Sequence, residues 1–314
     1  MGSIPVNYLH MTKRILIVVF AVLAGALSAP AATHHHHHHS TTTASPTPDD
    51  SEDTASPRVG PDGVPITHAA SVIVLDARTG QVLYQKNADE RRAAASTQKL
   101  LTGLIIAETG NLNQTVTVDI SDTWAEPVKL NIQPGETYRR GDLLQVMLIH
   151  SVNDVARCLA RDDAGSIEAF ADRMNRKAAL LGMSDSHFVN PNGLPIPDQY
   201  STARDLSKVA FAAYHNSLIR SIVCQKEVFF QYTDGRVRKF DNTNHVLLKY
   251  PLCNGMKTGY TDAAGHCLIS SASNGSRDII SVVLGDNGYV WKDSYALLQW
   301  GIAGGSSSRI GSAN

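Results

Sequence analysis

NGMKTGYTDAAGHCLISSASNGSRDIISVVLG, residues 254–285, holds three strand-like runs joined by short polar links. Asn254–Thr261, His266–Ala272 and Asp278–Gly285 each read as strands, and the links between them are of hairpin length. Strands joined that closely pair antiparallel, because a parallel pair needs a crossover of about a dozen residues or more. Working outward, Glu227–Thr233 and Arg236–Phe240 flank Asp234-Gly235, a two-residue turn signal, and Ser71–Ala77 and Val82–Lys86 form an early pair split by Arg78–Gln81. Between the early and late strands the apolar residues recur with helical period. Helices are expected at Arg92–Gly110, Gly141–His150, Asp154–Asp162, Ser166–Gly182 and Thr202–His215, and a last one at Val290–Trp300. The expected fold is mixed α/β: an antiparallel sheet flanked by helices, with an all-helical lobe inserted between its two halves. A cleft between lobe and sheet is the natural place for a site.

The 314 residues are 43% hydrophobic and 18% charged with a formal net charge of -1, which suits a globular domain and gives no nucleic-acid footprint. Residues 1–10 read as vector-derived. Residues 11–32 read as a secretory signal: Lys13 and Arg14, an apolar run Ile15–Leu27, then small residues at Ala29–Ala32. That run is short of the roughly 20 residues a membrane span needs, so an exported protein is expected. Residues 33–65 hold the tag His34–His39 and a tether rich in Ser, Thr, Pro and Asp, with order expected from about Ile66. The domain is expected over 66–302, followed by a flexible tail at 303–314. Of the four cysteines, Cys158 and Cys224 are expected as buried thiols, and Cys253 with Cys267 is a candidate bridge. The cysteine spacing fits no zinc pattern and the untagged histidines are scattered, so no metal site is expected.

The chemistry-bearing signals come in three pieces. Ser96 is followed at +3 by Lys99, on one face of a helix start. Ser151-Val152-Asn153 falls at a break between two helices, and Lys257-Thr258-Gly259 lies on a late strand. Alone, Ser96 is an ordinary helix cap, Asn153 an N-cap and Lys257 a solvated lysine. Together they suit acyl transfer. A serine hydroxyl needs an adjacent base, and Lys99 serves if burial beside a cationic Lys257 holds it neutral. A helix start aims N–H groups at a developing oxyanion. Ser151 can relay a proton to a leaving amine, Asn153 can hydrogen-bond a substrate amide, and Lys257 with Thr258 suits a substrate carboxylate. Gly259 would let a substrate backbone approach the strand. There is no Gly-x-Ser-x-Gly elbow, His-Glu-x-x-His, phosphate-binding loop or dinucleotide fingerprint.

Ser-x-x-Lys, Ser-x-Asn and Lys-Thr-Gly in this order make the chain resemble the low-molecular-mass penicillin-binding proteins, the serine D-alanyl-D-alanine carboxypeptidases. Stretches Val72–Arg92, Phe188–Leu194, Tyr200–Leu206 and Gly255–Leu268 strengthen the resemblance. It implies a β-lactamase/transpeptidase-like fold and needs no cofactor. It implies Ser96 as acylated nucleophile, Lys99 as base, and Ser151 and Asn153 as the second motif. Lys257, Thr258 and Gly259 would bind substrate, and the N–H groups of Ser96 and Tyr260 would form the oxyanion hole. Arg204 matches an arginine near the family's site, and Lys292 stands where members often carry an arginine for carboxylate recognition. Ala94 replaces a usual proline. Peptidoglycan stem peptides are the implied substrates and β-lactam antibiotics the implied covalent inhibitors, in a periplasmic or wall-associated setting. Many members add an anchoring helix; no stable membrane anchor is evident here. A D,D-endopeptidase cutting crosslinks shares these motifs. A β-lactamase would need a Glu-x-x-Leu-Asn loop, and Glu168 sits instead in Ser166–Phe170, an ordinary helix start. A non-catalytic wall-binding module would have no reason to keep Ser96, Lys99, Ser151 and Lys257.

Overall fold

The computed structural model describes residues 58–305. The signal, the tag, the tether as far as residue 57 and the tail beyond 305 lie outside the described residues. The chain is already structured at Val59, which bridges to Pro65 ahead of the expected start at Ile66.

In chain order the elements are β1 (Ser71–Asp76), β2 (Val82–Lys86), a 3-10 turn (Ala95–Gln98) leading into α1 (Lys99–Thr109), β3 (Thr115–Thr117), β4 (Thr137–Arg139), α2 (Arg140–His150), α3 (Asn153–Ala164) and α4 (Ile167–Leu180). Then follow α5 (Ala203–His215), α6 (Ser217–Val223), β5 (Glu227–Gln231), β6 (Val237–Asp241), α7 (His245–Lys249), β7 (Cys253–Thr261), β8 (Gly265–Ser273), β9 (Asp278–Asp286) and α8 (Val290–Ile302). β2-β1-β9-β8-β7 make one sheet, antiparallel throughout, so the early and late strands meet at β1 and β9 and the helical block is the insertion between them.

The sheet buries both faces, and side-chain alternation decides which residue goes where. Ile73, Leu75, Ile269, Ile280 and Val282 face the helical lobe and join its core of α1 to α5. Val72, Val74, Leu268, Ile279 and Val283 turn to the other face, where Leu297 and Leu298 of α8 cover them. Four helix starts are set by side-chain caps, Ser166 on α4, Thr202 on α5, Asn216 on α6 and Asn244 on α7. Within the lobe, the buried Arg140 guanidinium on α2 reaches Asp162 at 2.9 Å and Asp163 at 2.5 Å at the end of α3. These bonds pin the two helices that flank Ser151.

The cysteine expectations need two corrections. Cys253 and Cys267 are free thiols. Register sets Cys253 opposite Ala272 and Cys267 opposite Gly259, which separates them by roughly 20 Å along the ribbon. Cys224 is exposed, because α6 ends at Val223 and the chain turns outward there. Cys158 is buried as expected.

Candidate active site

The 3-10 turn sets Ser96 one step ahead of α1, and Lys99 is the first residue of that helix. Ser96 is half-buried, whereas Lys99 has no exposed surface. The Lys99 Nζ has three oxygen partners: Ser96 Oγ at 2.7 Å, Asn153 Oδ1 at 2.7 Å and the Asn192 carbonyl at 2.6 Å. Burial, helped by the facing Lys257 charge, pushes the Lys99 amine well below the usual lysine range, and the Asp154 carboxylate opposes that shift. A neutral amine has two N–H bonds and one lone pair. In that neutral form, with Asn153 and Asn192 taking the two N–H bonds, the lone pair would face the Ser96 hydroxyl. The arrangement suits a base beside a nucleophile.

One supporting loop completes this geometry. Asn190 folds the Asn190–Leu194 loop around its side chain, accepting from Gly193 N–H at 2.8 Å and donating to the Leu194 carbonyl at 2.9 Å. Gln98, two residues from the nucleophile, donates to the Asn190 carbonyl at 2.6 Å. The loop so held delivers the Asn192 carbonyl to Lys99. Gly193 has φ +85°, and a Cβ on it would stand 2.0 Å from the Ala95 carbonyl oxygen. Gly193→Ala is therefore expected to cost about 3 kcal/mol, from a left-handed backbone penalty and overpacking against main chain. In a domain of this size that lowers Tm by about 5–10 °C in thermal unfolding.

On the lobe side, Ser151 adopts a left-handed conformation, φ +67°, which turns the chain from α2 into α3. Among the described residues its hydroxyl has no hydrogen bond to Ser96 or Lys99. Asn153 is the first residue of α3 rather than its cap, which is Val152. Its amide nitrogen donates to the Pro127 carbonyl, and its oxygen is the one held by Lys99. The Asn153 amide thus also has an internal role: its oxygen orients Lys99, one of its N–H groups ties α3 to the Pro127 loop, and the second N–H is left over from these two bonds. Asp154, fully buried, accepts from the N–H groups of Leu130, Asn131 and Val155, and burial still raises its carboxyl above the ordinary value. It supplies the negative field opposing Lys257 at Lys99.

The sheet contributes β7, an edge strand lying against the Ser96 turn. Lys257 is fully buried, its Nζ at 3.0 Å from the Thr258 carbonyl, and burial lowers its pKa to about 7. The Thr258 hydroxyl lies 2.6 Å from that of Thr243, a residue the sequence did not single out. Gly259 is also needed for packing within the protein itself. A Cβ there would sit 2.8 Å from the backbone nitrogens of both Ser96 and Thr97, so its bareness lets β7 press against the nucleophile's own main chain. The Tyr260 side chain donates to Asp262 at 3.0 Å, with its ring 4.5 Å from that of His266.

Two expected site residues stand outside this assembly. The Arg204 guanidinium is filled by Asp89, at 2.5 and 3.0 Å, and by Gln85 at 2.5 Å, so it braces β2 and the segment after it. Lys292 lies on the first turn of α8, the helix on the sheet face opposite the lobe, with its ammonium 6.0 Å from the Tyr289 ring centroid. Among the described residues no cluster of His, Cys, Asp or Glu could hold a metal.

Residues 59–288 match the family model described as D-alanyl-D-alanine carboxypeptidase. The chain is 33% identical over 257 residues to D-alanyl-D-alanine carboxypeptidase DacB2 of Mycobacterium tuberculosis, covering 79% of this chain and 87% of that one. It is 34% identical over 255 residues to D-alanyl-D-alanine carboxypeptidase DacA of Escherichia coli, covering 76% of this chain and 62% of that longer relative. A D-alanyl-D-alanine endopeptidase of Escherichia coli is 32% identical over 220 residues, covering 69% of this chain and 71% of its own length. The crystal structure of a D-alanyl-D-alanine carboxypeptidase from Mycobacterium tuberculosis superimposes with a TM-score of 0.74 at 32% identity, over 81% of this chain and 98% of that one. A match that runs through the sheet, the lobe and the segments holding Ser96, Asn153 and Lys257 covers nearly all of the described fold, and the chain belongs to the D-alanyl-D-alanine carboxypeptidase family of serine hydrolases.

Proposed function

We propose that the protein removes the terminal D-alanine from peptidoglycan stem peptides through an acyl-enzyme on Ser96. The observation that carries this reading is the fully buried Lys99 amine, 2.7 Å from Ser96 Oγ with its other contacts committed to Asn153 and Asn192. The Ser96 hydroxyl attacks the carbonyl of the penultimate D-alanine while Lys99 takes its proton. The oxyanion gathers against the N–H groups of Ser96 and Tyr260, as preorganised donors require. Collapse breaks the peptide bond, the departing amine regains a proton by way of Ser151, and water then hydrolyses the ester to free Ser96. Lys257 and Thr258 receive the terminal carboxylate. β-Lactams carry a comparable carboxylate and acylate the same serine. This chemistry belongs outside the cytoplasm, in keeping with the expected export signal; among the described residues no helix is long and apolar enough to cross a membrane.

D-Alanine release from a peptide ending in Lys-D-Ala-D-Ala tests the reading directly. The endopeptidase relative supports a second reading, in which a crosslinked muropeptide dimer is the substrate. Faster cleavage of the dimer than of the pentapeptide would favour that one.

The two lysines also set an expected pH profile. Lys99 acts as base only when neutral, so kcat/KM climbs as pH rises through its depressed pKa. Lys257 attracts a carboxylate only when protonated, so kcat/KM falls as pH rises through about 7. The free enzyme should give a bell with its alkaline limb near neutrality. A rate still rising between pH 8 and 10 would contradict the assignment of Lys257.

A further inference from the structure

Thr243 lies between the lobe and the sheet, and its loop is built to hold it there. Asn242 and Asn244, the residues on either side, are both buried. Asn242 donates to the Gln225 carbonyl at 2.8 Å and accepts from the Asn244 N–H at 2.9 Å, while Asn244 caps α7 through the N–H groups of Val246 and Leu247. With both neighbours spent on the loop, the Thr243 N–H reaches the Ile149 carbonyl at 3.2 Å, in the last turn of α2 and two residues before Ser151. Its hydroxyl lies 2.6 Å from Thr258 Oγ1 and 3.5 Å from the same Ile149 carbonyl. Both threonines are half-buried at the cleft.

A hydroxyl carries one hydrogen and two lone pairs. Either hydroxyl could donate across the 2.6 Å contact, but at 3.5 Å the Ile149 carbonyl is a poor acceptor for Thr243, which favours Thr243 as the donor to Thr258. Thr258 then accepts from Thr243, and its own single proton is left for a group in the cleft. Each bond in such a chain polarises the next. We propose that Thr243 is a positioning residue of the carboxylate subsite: its hydroxyl donates to Thr258, turns the Thr258 proton toward the substrate carboxylate, and anchors that orientation to the end of α2. The proposal rests on the carboxypeptidase reading, because it presumes a carboxylate beside Thr258. Thr258 touches the ligand, and Thr243 acts through it.

The test compares acylation of the intact protein by two probes, a penicillin with its free ring carboxylate and the methyl ester of the same penicillin. Thr243→Val keeps the shape and deletes the hydroxyl. It is expected to slow acylation by the free acid by about fivefold to tenfold, the worth of one hydrogen bond between neutral groups. The ester should change by less than about twofold, and Thr243→Ser should restore the free-acid rate. In a Thr258→Val background, Thr243→Val should add no further loss, the signature of two residues acting as one unit. Equal loss on acid and ester would make Thr243 a structural tie and overturn the proposal, as would no loss on either. Absence of any adduct in the unsubstituted protein would instead overturn the functional reading itself, and the two failures are told apart by that control.

Discussion

Ser96→Ala is expected to abolish D-alanine release, lowering kcat by about 10^4- to 10^6-fold while the protein stays folded. The size follows from what the other parts do alone. Without Ser96 Oγ, the buried Lys99 amine, the N–H groups of the 3-10 turn and the Lys257-Thr258 subsite all remain, but no nucleophile is left for them to serve. Binding survives where catalysis does not, since Ser96 is only half-buried and its hydroxyl makes just the Lys99 contact and a 3.3 Å bond to the Asn192 carbonyl. A substrate Kd within about threefold of the parent, at unmeasurable kcat, is the expected pattern. Residual release above about 1% of the parent rate would mean that the nucleophile lies elsewhere.

Lys99→Met is expected to lower acylation by about 10^2- to 10^4-fold, the range a positioned general base supplies. The substitution removes an amine that is costly to bury and leaves the Asn153 oxygen and the Asn192 carbonyl without their donor, so stability reflects two opposing effects. Lys99→Arg separates the base from the charge. A guanidinium remains protonated at every working pH. If the field of a cation beside Ser96 were what mattered, arginine would retain activity. On the present account it loses as much as methionine, because it has no lone pair for the serine proton. Stopped-flow measurement of penicillin acylation across the three proteins makes the comparison.

Much of this was legible in the sequence because it was local. The three late strands declared themselves by short polar links, and their antiparallel pairing, with β8 between β7 and β9, followed from those hairpin-length links. The Ser96–Lys99 spacing and the break at Ser151 were visible for the same reason, each lying within one turn or bend. What could not be read were contacts made across long separations. The Asn192 carbonyl lies 93 residues from Lys99 in the chain, and nothing in Phe188–Leu194 beyond family likeness points to it. Gly193 gave a weak signal, since Asn-Gly marks a turn, but its closeness to the Ala95 carbonyl exists only in the fold. Thr243 carried no signal: a threonine ahead of a short helix is commonplace, and its two partners are 15 and 94 residues away.

The fold also gave motif residues internal partners that residue type alone does not reveal. Asn153 starts α3 rather than capping it, and its amide is bonded to Lys99 and to the Pro127 carbonyl. Arg204 follows a helix cap in a stretch typical of the family, yet Asp89 and Gln85 claim its fork. Short elements were also missed. α6 and α7 hold 7 and 5 residues, too few for a helical period to emerge, and β3 pairs with β4 across an irregular segment.

The central claim is that Ser96 carries the acyl group because Lys99, held neutral by burial, takes its proton. Intact-mass measurement after incubation with a penicillin, followed by peptide mapping, tests it most directly. The account predicts one adduct per chain on the peptide containing Ser96, formed slowly in Lys99→Met and absent in Ser96→Ala. An adduct mapping to Ser151 or any other residue, or one that persists in Ser96→Ala, would contradict it.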